Sequence, residues 1–380
     1  MLLPSQRSLF EIPDDVTWLN CSYMSPQLRG VRRAGEEALG RKAQPWRIRP
    51  DDFFSESELL RGLFAQVIQA DAEGVALVPS VSYGMAVVAA NLRVREGQRL
   101  LVLAEEFPSN LYPWRDLARR TGATVFTVAR PPDGDWTRAV LEAMDTRCAL
   151  VAVPHCHWTD GTRVDLVKVG ARAREVGAVL AVDATQSLGA LPLSVKEVQP
   201  DYLVAAGYKW LMGPYSQGYL YVAPGQREGR PLELNWITRQ GSEDFSRLID
   251  YREEFQPGSR RFDVGERSNF LLVPMAAAAL RQILSWGVES IQETLRELTR
   301  RAALGAKALG LEVAPEEHRA GHLVGLRRRG GYEPDLLSRL AASHVYVSVR
   351  GDNLRVSPHL YNTAADVDRL LEAMASVSKA

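Results

Sequence analysis

Lysine and cysteine are the scarce residues of this chain. Of 46 basic side chains only six are lysine: Lys42, Lys168, Lys196, Lys209, Lys307 and Lys379. The three cysteines, Cys21, Cys148 and Cys156, are too few and too scattered for a disulfide framework, so a reducing cytoplasm is expected. Neither sign of charge is in excess, since 46 acidic groups balance the 46 basic ones. With that balance nothing suggests a nucleic-acid footprint or a membrane-surface patch, and neither partner is expected. No apolar run reaches about 18 residues, so no membrane span is expected. The opening "MLLPSQRSLFEIPDD" lacks a basic region followed by an apolar stretch, so no signal peptide is expected either. G-x-G-x-x-G is missing, which weakens a dinucleotide reading, and G-x-x-x-x-G-K-[ST] is missing, which removes a phosphate loop for NTP. Internal repeats and low-complexity segments are lacking as well.

A chain of 380 residues can bury a large core and is expected to divide in two. Short apolar runs alternate with helical patterns through its first two thirds. Strands are expected at 74–79, 99–104, 124–129, 148–154, 178–183, 201–206 and 218–223. Helices are expected near 83–92, 110–122, 136–144 and 165–176. Strands this apolar are buried on both faces, which predicts a mostly parallel seven-stranded sheet covered by helices, an α/β architecture. The polar segment 224–260 reads as a long connection. Beyond it come a strongly helical stretch (274–309), a strand (322–328), a helix (334–343), a strand pair (345–359) and a last helix (363–378) capped by Thr363. These make a smaller C-terminal α+β domain. The expected division is a large domain over 17–255 and a small one formed by 1–16 with 256–380.

In open α/β sheets ligands gather outside the carboxyl ends of the strands. After the 74–79 strand comes "SVSYG", where Ser82 either caps a helix or adds a hydroxyl to a phosphate cradle. After 99–104 comes "EEFPSN", where Phe107 either stacks on a flat ring or packs in the core. Asp183 ends an apolar strand. Lys209 follows the next one, in the apolar, aromatic stretch "AAGYKWLMGP". Burial there would lower its pKa, and a neutral amine forms an imine with an aldehyde; the alternative is a snorkelling lysine. A phosphate cradle, a stacking aromatic, a buried carboxylate and a lone amine are the four partners of pyridoxal 5′-phosphate.

Taken in order, "WLNCSYMSP" (18–26), "SVSYG" (80–84), "EFPSN" (106–110), "VDATQSLGALPL" (182–193), "YKWLMGPYSQGYLYV" (208–222), "RRFDVGERSN" (260–269) and "LRVSPHLYNTAADVDRL" (354–370) resemble the class V aminotransferase family. This is a group of fold type I pyridoxal-phosphate enzymes that includes cysteine desulfurases, kynureninases and isopenicillin N epimerase-like proteins. The resemblance implies Lys209 as the Schiff-base lysine, Asp183 as partner of the pyridine nitrogen and Gln186 on the ring hydroxyl. It implies Phe107 as the stacking ring, with Ser82, the Tyr83 backbone and Tyr208 about the phosphate. Arg355 matches the arginine that pairs with a substrate carboxylate, with Asn20 and Trp158 beside the substrate. It also implies a homodimer with sites completed across the interface. Ala206 replaces a phosphate-binding serine common in relatives. "GERSN" replaces a Gly-Thr pair that reaches the partner's phosphate, leaving Ser268 or Arg267 as substitutes. Trp158 stands where desulfurases carry asparagine.

The reaction follows from what the freed lysine does next. A desulfurase needs a thiol on a mobile loop shortly before the carboxylate arginine, and "SHVYVSVRGDNL" (343–354) has none. Phe107 and Tyr208 favour a kynureninase, whereas Gln186 opposes it. An aminotransferase acting on an α-amino acid is therefore expected, with lyase, epimerase or desulfurase-like chemistry as the alternative. Two rivals stand apart. One is a metal site at "HCHWTD", built from His155, Cys156, His157 and Asp160; no further Cys/His cluster completes it, so no metal is expected. The other is a catalytically silent cofactor-binding protein.

Overall fold

The computed structural model describes residues 1–377, so Ser378 and Lys379 lie outside the described residues. Seven strands form the large sheet: β1 (Val75–Val78), β2 (Arg99–Leu103), β3 (Thr124–Val128), β4 (Cys148–Pro154), β5 (Val179–Asp183), β6 (Tyr202–Ala206) and β7 (Gly218–Val222). Their spatial order is β3-β2-β4-β5-β6-β7-β1. All are parallel except β7, which runs antiparallel to both β6 and β1. The expected mostly parallel sheet is therefore present, and six strands send their carboxyl ends to one edge.

The alternation of side chains explains why these runs are apolar throughout. Along β4, Val151 and Val153 enter one core and Leu150 and Ala152 the other. The helices Asp52–Val67 and Leu166–Val176 cover the first face; α1 (Val81–Asn91) and the helix Tyr112–Thr121 cover the second. Edge strand β3 is partly exposed, but β1, at the other edge, is buried along its whole length. The segment after residue 257 covers it: Val264 N–H donates to Leu77 O (3.0 Å), and Leu77 N–H donates to the Asp263 carboxylate (2.7 Å). Asp263 also binds two buried guanidinium groups, Arg61 (2.8 Å) and Arg267 (2.6 Å). Arg61 in turn donates to Val75 O. An edge that would invite further pairing is thereby closed by one buried charge cluster.

The connection 224–260 holds short 3-10 turns and an isolated antiparallel bridge between Arg239 and Phe255, with no α-helix, as its lack of period predicts. The helical stretch expected at 274–309 is two helices, α2 (Leu272–Trp286) and α3 (Val288–Ala308), separated at Gly287 with φ 77°. That left-handed conformation suits glycine and ends α2. Two helices in the first seventy residues, Arg29–Lys42 and Asp52–Val67, were not foreseen. A three-stranded antiparallel sheet carries β8 (Val324–Arg327), β9 (Ser348–Arg350) and β10 (Asn353–Val356) in the order β9-β10-β8. The core beneath it joins Phe10, Ile291, Leu295, Leu354 and Tyr361 to Trp210 and Met212, from the segment after β6. The last helix starts at Ala364, and the Asp366 carboxylate accepts from Thr363 N–H (2.8 Å). Among the described residues no helix is long and apolar enough to cross a membrane.

Removing the Asp263 carboxylate leaves Arg61 and Arg267 buried without their shared counter-charge. Asp263→Ala is expected to cost about 3–5 kcal/mol of unfolding free energy. Urea denaturation followed by circular dichroism measures this; a loss under about 1 kcal/mol would remove the cluster's assigned role.

Candidate active site

The ends of β1, β2, β4, β5 and β6 surround a cavity of ≈ 240 Å³. Ser82, Phe107, Trp158, Asp183, Gln186, Tyr208 and Lys209 all line it. An adjoining cavity of ≈ 370 Å³ shares Phe107, Trp158, Tyr208 and Lys209 and is reached by Arg350 and Arg355 from β9 and β10. The sheet thus supplies one cavity and the small antiparallel sheet roofs the next.

Asp183 and Lys209 converge because β5 and β6 are neighbours. Asp183, the last residue of β5, lies opposite Val204 in β6, and Lys209 sits in the turn that follows β6. A tight loop holds it there. Gly207 N–H donates to Gln217 O, and Gly213 N–H to Gly207 O, both at 2.8 Å. A Cβ at position 207 would lie 2.7 Å from the Gln217 carbonyl, so only glycine closes this loop. Lys209 is 7% exposed, as is Asp183. The ammonium nitrogen lies 5.5 Å from the Phe107 ring centre and 5.6 Å from that of Tyr208. Burial lowers the Lys209 pKa from 10.5 to about 8 against the opposing pull of Asp183; Arg355 and Arg350 lower it further. Burial raises the Asp183 carboxyl, opposed by Thr185, whose N–H donates to it at 2.9 Å, and by Lys209.

The remaining residues singled out from sequence divide into those on the cavity and those behind it. Ser82 is exposed and its hydroxyl lies 2.9 Å from that of Ser80. The helix cap is Ser80, not Ser82: its side chain accepts from Tyr83 N–H at 3.1 Å, which commits that N–H to the cap. The Gln186 amide donates to Ser22 O and accepts from Trp210 Nε1, each at 3.0 Å, leaving one amide hydrogen for the cavity. Phe107 meets Trp158 edge-on, with ring centres 5.3 Å apart. Trp158 is held by its indole N–H to Glu105 O (2.7 Å). Tyr208 packs on Tyr215 at 4.5 Å. Arg355 is 2% exposed and bonds to Ser348 Oγ (2.9 Å) and Trp158 O (3.0 Å). Asn20 stands behind it, accepting from the Ser348 hydroxyl at 2.9 Å, and does not line either cavity. Ser268 is also away from the cavities, with its hydroxyl on Phe53 O. Arg267 belongs to the Asp263 cluster.

Two groups on these cavities escaped the sequence reading. Glu106 is buried beside Asp183, and burial, with Asp183 adding, pushes its carboxyl up to about 8. One of its oxygens accepts from Phe107 N–H (2.7 Å), and the Asn110 side chain together with this N–H opposes the rise. Its only signal in the sequence was a second glutamate before Phe107. Arg350 is the other, hidden in a strand that reads as an ordinary charged edge. The "HCHWTD" run does not gather onto one centre. His157 stacks on Trp136 and uses its ring nitrogens on Ala104 O (3.0 Å) and the Thr159 hydroxyl (2.8 Å). Asp160 is bound by Arg130 and Thr162. Among the described residues no group of three or more His, Cys, Asp or Glu is arranged to hold a metal ion.

The family profile described as Aminotransferase class-V matches residues 51–370, and the chain belongs to that family. An uncharacterized aminotransferase, YcbU of Bacillus subtilis, is 28% identical over 98% of both chains. Among solved structures, the apo cysteine desulfurase of Thermococcus onnurineus superposes with a TM-score of 0.87 at 22% identity, over 100% of each chain. A mutant of C-DES with glycine covalently linked to its PLP cofactor superposes at 0.84 with 19% identity, covering 97% of this chain and 99% of that one. These two structures share the fold.

A lysine whose amine gives up its proton near pH 8 is protonated below that pH and nucleophilic above it. Acetic anhydride labelling of Lys209 in the cofactor-free protein, read by mass spectrometry across pH, is expected to rise with a midpoint near 8. A midpoint at the ordinary 10.5 would mean that the amine is not desolvated.

Proposed function

We propose that this pyridoxal-phosphate-dependent enzyme transaminates an α-amino acid, with Lys209 and Asp183 as its catalytic pair. The observation that carries the reading is one buried amine and one buried carboxylate on the wall of the same cavity, at the carboxyl edge of the sheet.

The residues there suit the cofactor. Lys209 offers the amine, Phe107 the stacking face, Gln186 a free amide hydrogen, and Ser82 with the first N–H groups of α1 a cradle for phosphate. Tyr208 lines the same cavity and would close the phosphate side. When bound, pyridoxal phosphate supplies an electron sink for the pair released at the substrate α-carbon. Asp183, anchored by Thr185, would hold the proton at the ring nitrogen. Lys209, its charge disfavoured by burial, moves the α-proton as general base; where it then delivers that proton separates amino transfer from epimerisation. Arg355 presents a planar fork for the substrate carboxylate. Phe107 and Trp158, edge-on to each other, would form the apolar part of the wall.

Desulfurase-like chemistry has weaker support. Cys156 lines the cavity and Cys21 lies behind Lys209, but both thiols are buried, and burial raises both well above the thiol range. Neither is set up as a thiolate. Small-molecule amino acids are the expected partners. A homodimer is part of the same reading, supported by the exposed apolar side chains Leu234, Ile249 and Tyr251 on the connection after β7.

Lys209→Ala is expected to lose the covalently held cofactor absorbance and at least about a hundred-fold in turnover. Unchanged visible absorbance would remove the assignment. Arg355→Ala should raise KM for amino acids about ten-fold or more; an equal effect on decarboxylated amines would contradict its role. Mass spectrometry of products from an amino-acid panel with a keto-acid acceptor tests the reaction itself. Sulfide, or the opposite enantiomer in place of a transferred amino group, would replace transamination with the corresponding alternative.

A further inference from the structure

The two arginines over the second cavity are related by strand register. Ser348 in β9 lies opposite Arg355 in β10, and Arg350 lies opposite Asn353. Arg350 and Arg355 are therefore diagonal neighbours on one face of the hairpin. Their guanidinium carbons lie 6.0 Å and 5.8 Å from the centre of the same Trp158 ring. Arg355 bonds only to neutral oxygens, Ser348 Oγ and Trp158 O. The only bond found for the Arg350 side chain is to the carbonyl of its own neighbour, Val349 (2.7 Å). Among the described residues neither arginine has a carboxylate partner.

Three other sequestered arginines are treated differently. Arg61 and Arg267 share Asp263, and Arg130 has both Glu105 and Asp160. The ≈ 370 Å³ cavity instead has three cations on its wall, Lys209, Arg350 and Arg355, and no acidic residue. The cradle proposed for the cofactor's phosphate, Ser80, Ser82 and the start of α1, lines the neighbouring cavity and not this one; of the groups placed about the phosphate only the neutral Tyr208 reaches both. One α-carboxylate answers one guanidinium. The other still lacks an anion.

We infer that this cavity is shaped for an α-amino acid with a second anionic group, Arg355 taking the α-carboxylate and Arg350 the distal carboxylate or sulfur oxyanion. The inference rests on the proposed reaction site and narrows its substrate to acidic amino acids. Aspartate, glutamate and cysteine sulfinate are the expected type, against α-aminobutyrate and norvaline.

Isothermal titration of the holoenzyme with succinate, glutarate and butyrate tests this without any turnover. The dicarboxylates are expected to bind about ten-fold or more tightly than butyrate. Arg350→Gln should erase that preference while leaving butyrate affinity within about two-fold, and Arg350→Lys should keep part of it by retaining charge without the fork. Equal affinity for one and two carboxylates in the wild type, or an undiminished preference in a folded Arg350→Gln protein, would overturn the inference. Parallel spectral titrations with aspartate, cysteine sulfinate and norvaline show which distal anion is favoured. Failure of the reaction reading itself would look different: no cofactor chromophore on Lys209, with the anion preference still measurable by heat.

Discussion

Everything in the site turns on keeping an amine and an acid dry at the same time. The fall of the Lys209 pKa from 10.5 to about 8 corresponds to about 3 kcal/mol against its charged form. Asp183 pulls the other way, and without it the amine would be driven lower still. The opposition leaves a lysine that is neither locked as an ammonium nor lost as a permanently neutral group. The fold sustains this by ordinary means. Adjacent parallel strands put the two groups at one edge, and a glycine-closed loop carries Lys209 on the cavity wall.

Where each feature could be read in the sequence follows from how local its cause is. The seven sheet strands were legible because burial on both faces makes them continuously apolar, and β4 with its two cores shows why. Lys209 and Asp183 were legible because each stands out against such a strand. The choice between Ser80 and Ser82 as helix cap was not, since two serines two residues apart both satisfy the pattern and only the backbone turn decides. The break at Gly287 was hidden by strong helical period on both sides. Glu106 and Arg350 were invisible for a different reason. A charged residue at a strand end is usually solvated, and only the closing of other elements over these two makes them part of a cavity wall.

The division of labour between the two sheets bears on specificity. On the proposed reading the parallel sheet presents the amine, the acid and the phosphate cradle, which would serve any reaction at an amino-acid α-carbon. The antiparallel hairpin presents the two arginines, which are held only by neutral oxygens and so keep their charge for what the proposed substrate would bring. Chemistry and recognition are thus carried by elements far apart in sequence that meet at Trp158, whose indole lies against both guanidinium groups and edge-on to Phe107.

A chain of neutral hydrogen bonds sets how much charge the hairpin can offer. Asn20 accepts from the Ser348 hydroxyl, and the Ser348 oxygen accepts from Arg355. A carboxylate in the place of Ser348 would hold Arg355 as firmly and would also cancel its charge. A hydroxyl orients the fork yet leaves the positive field directed into the cavity, where it disfavours the Lys209 ammonium and attracts an anion. The same choice serves both ends of the site. On the proposed reading, an arriving carboxylate would meet a guanidinium that is already aimed and not yet paired, and in pairing would remove part of the field that disfavours the Lys209 ammonium. If Arg355 takes the substrate carboxylate as proposed, substrate binding and the basicity of Lys209 are coupled through it: the amine would become a stronger base once that anion is in place.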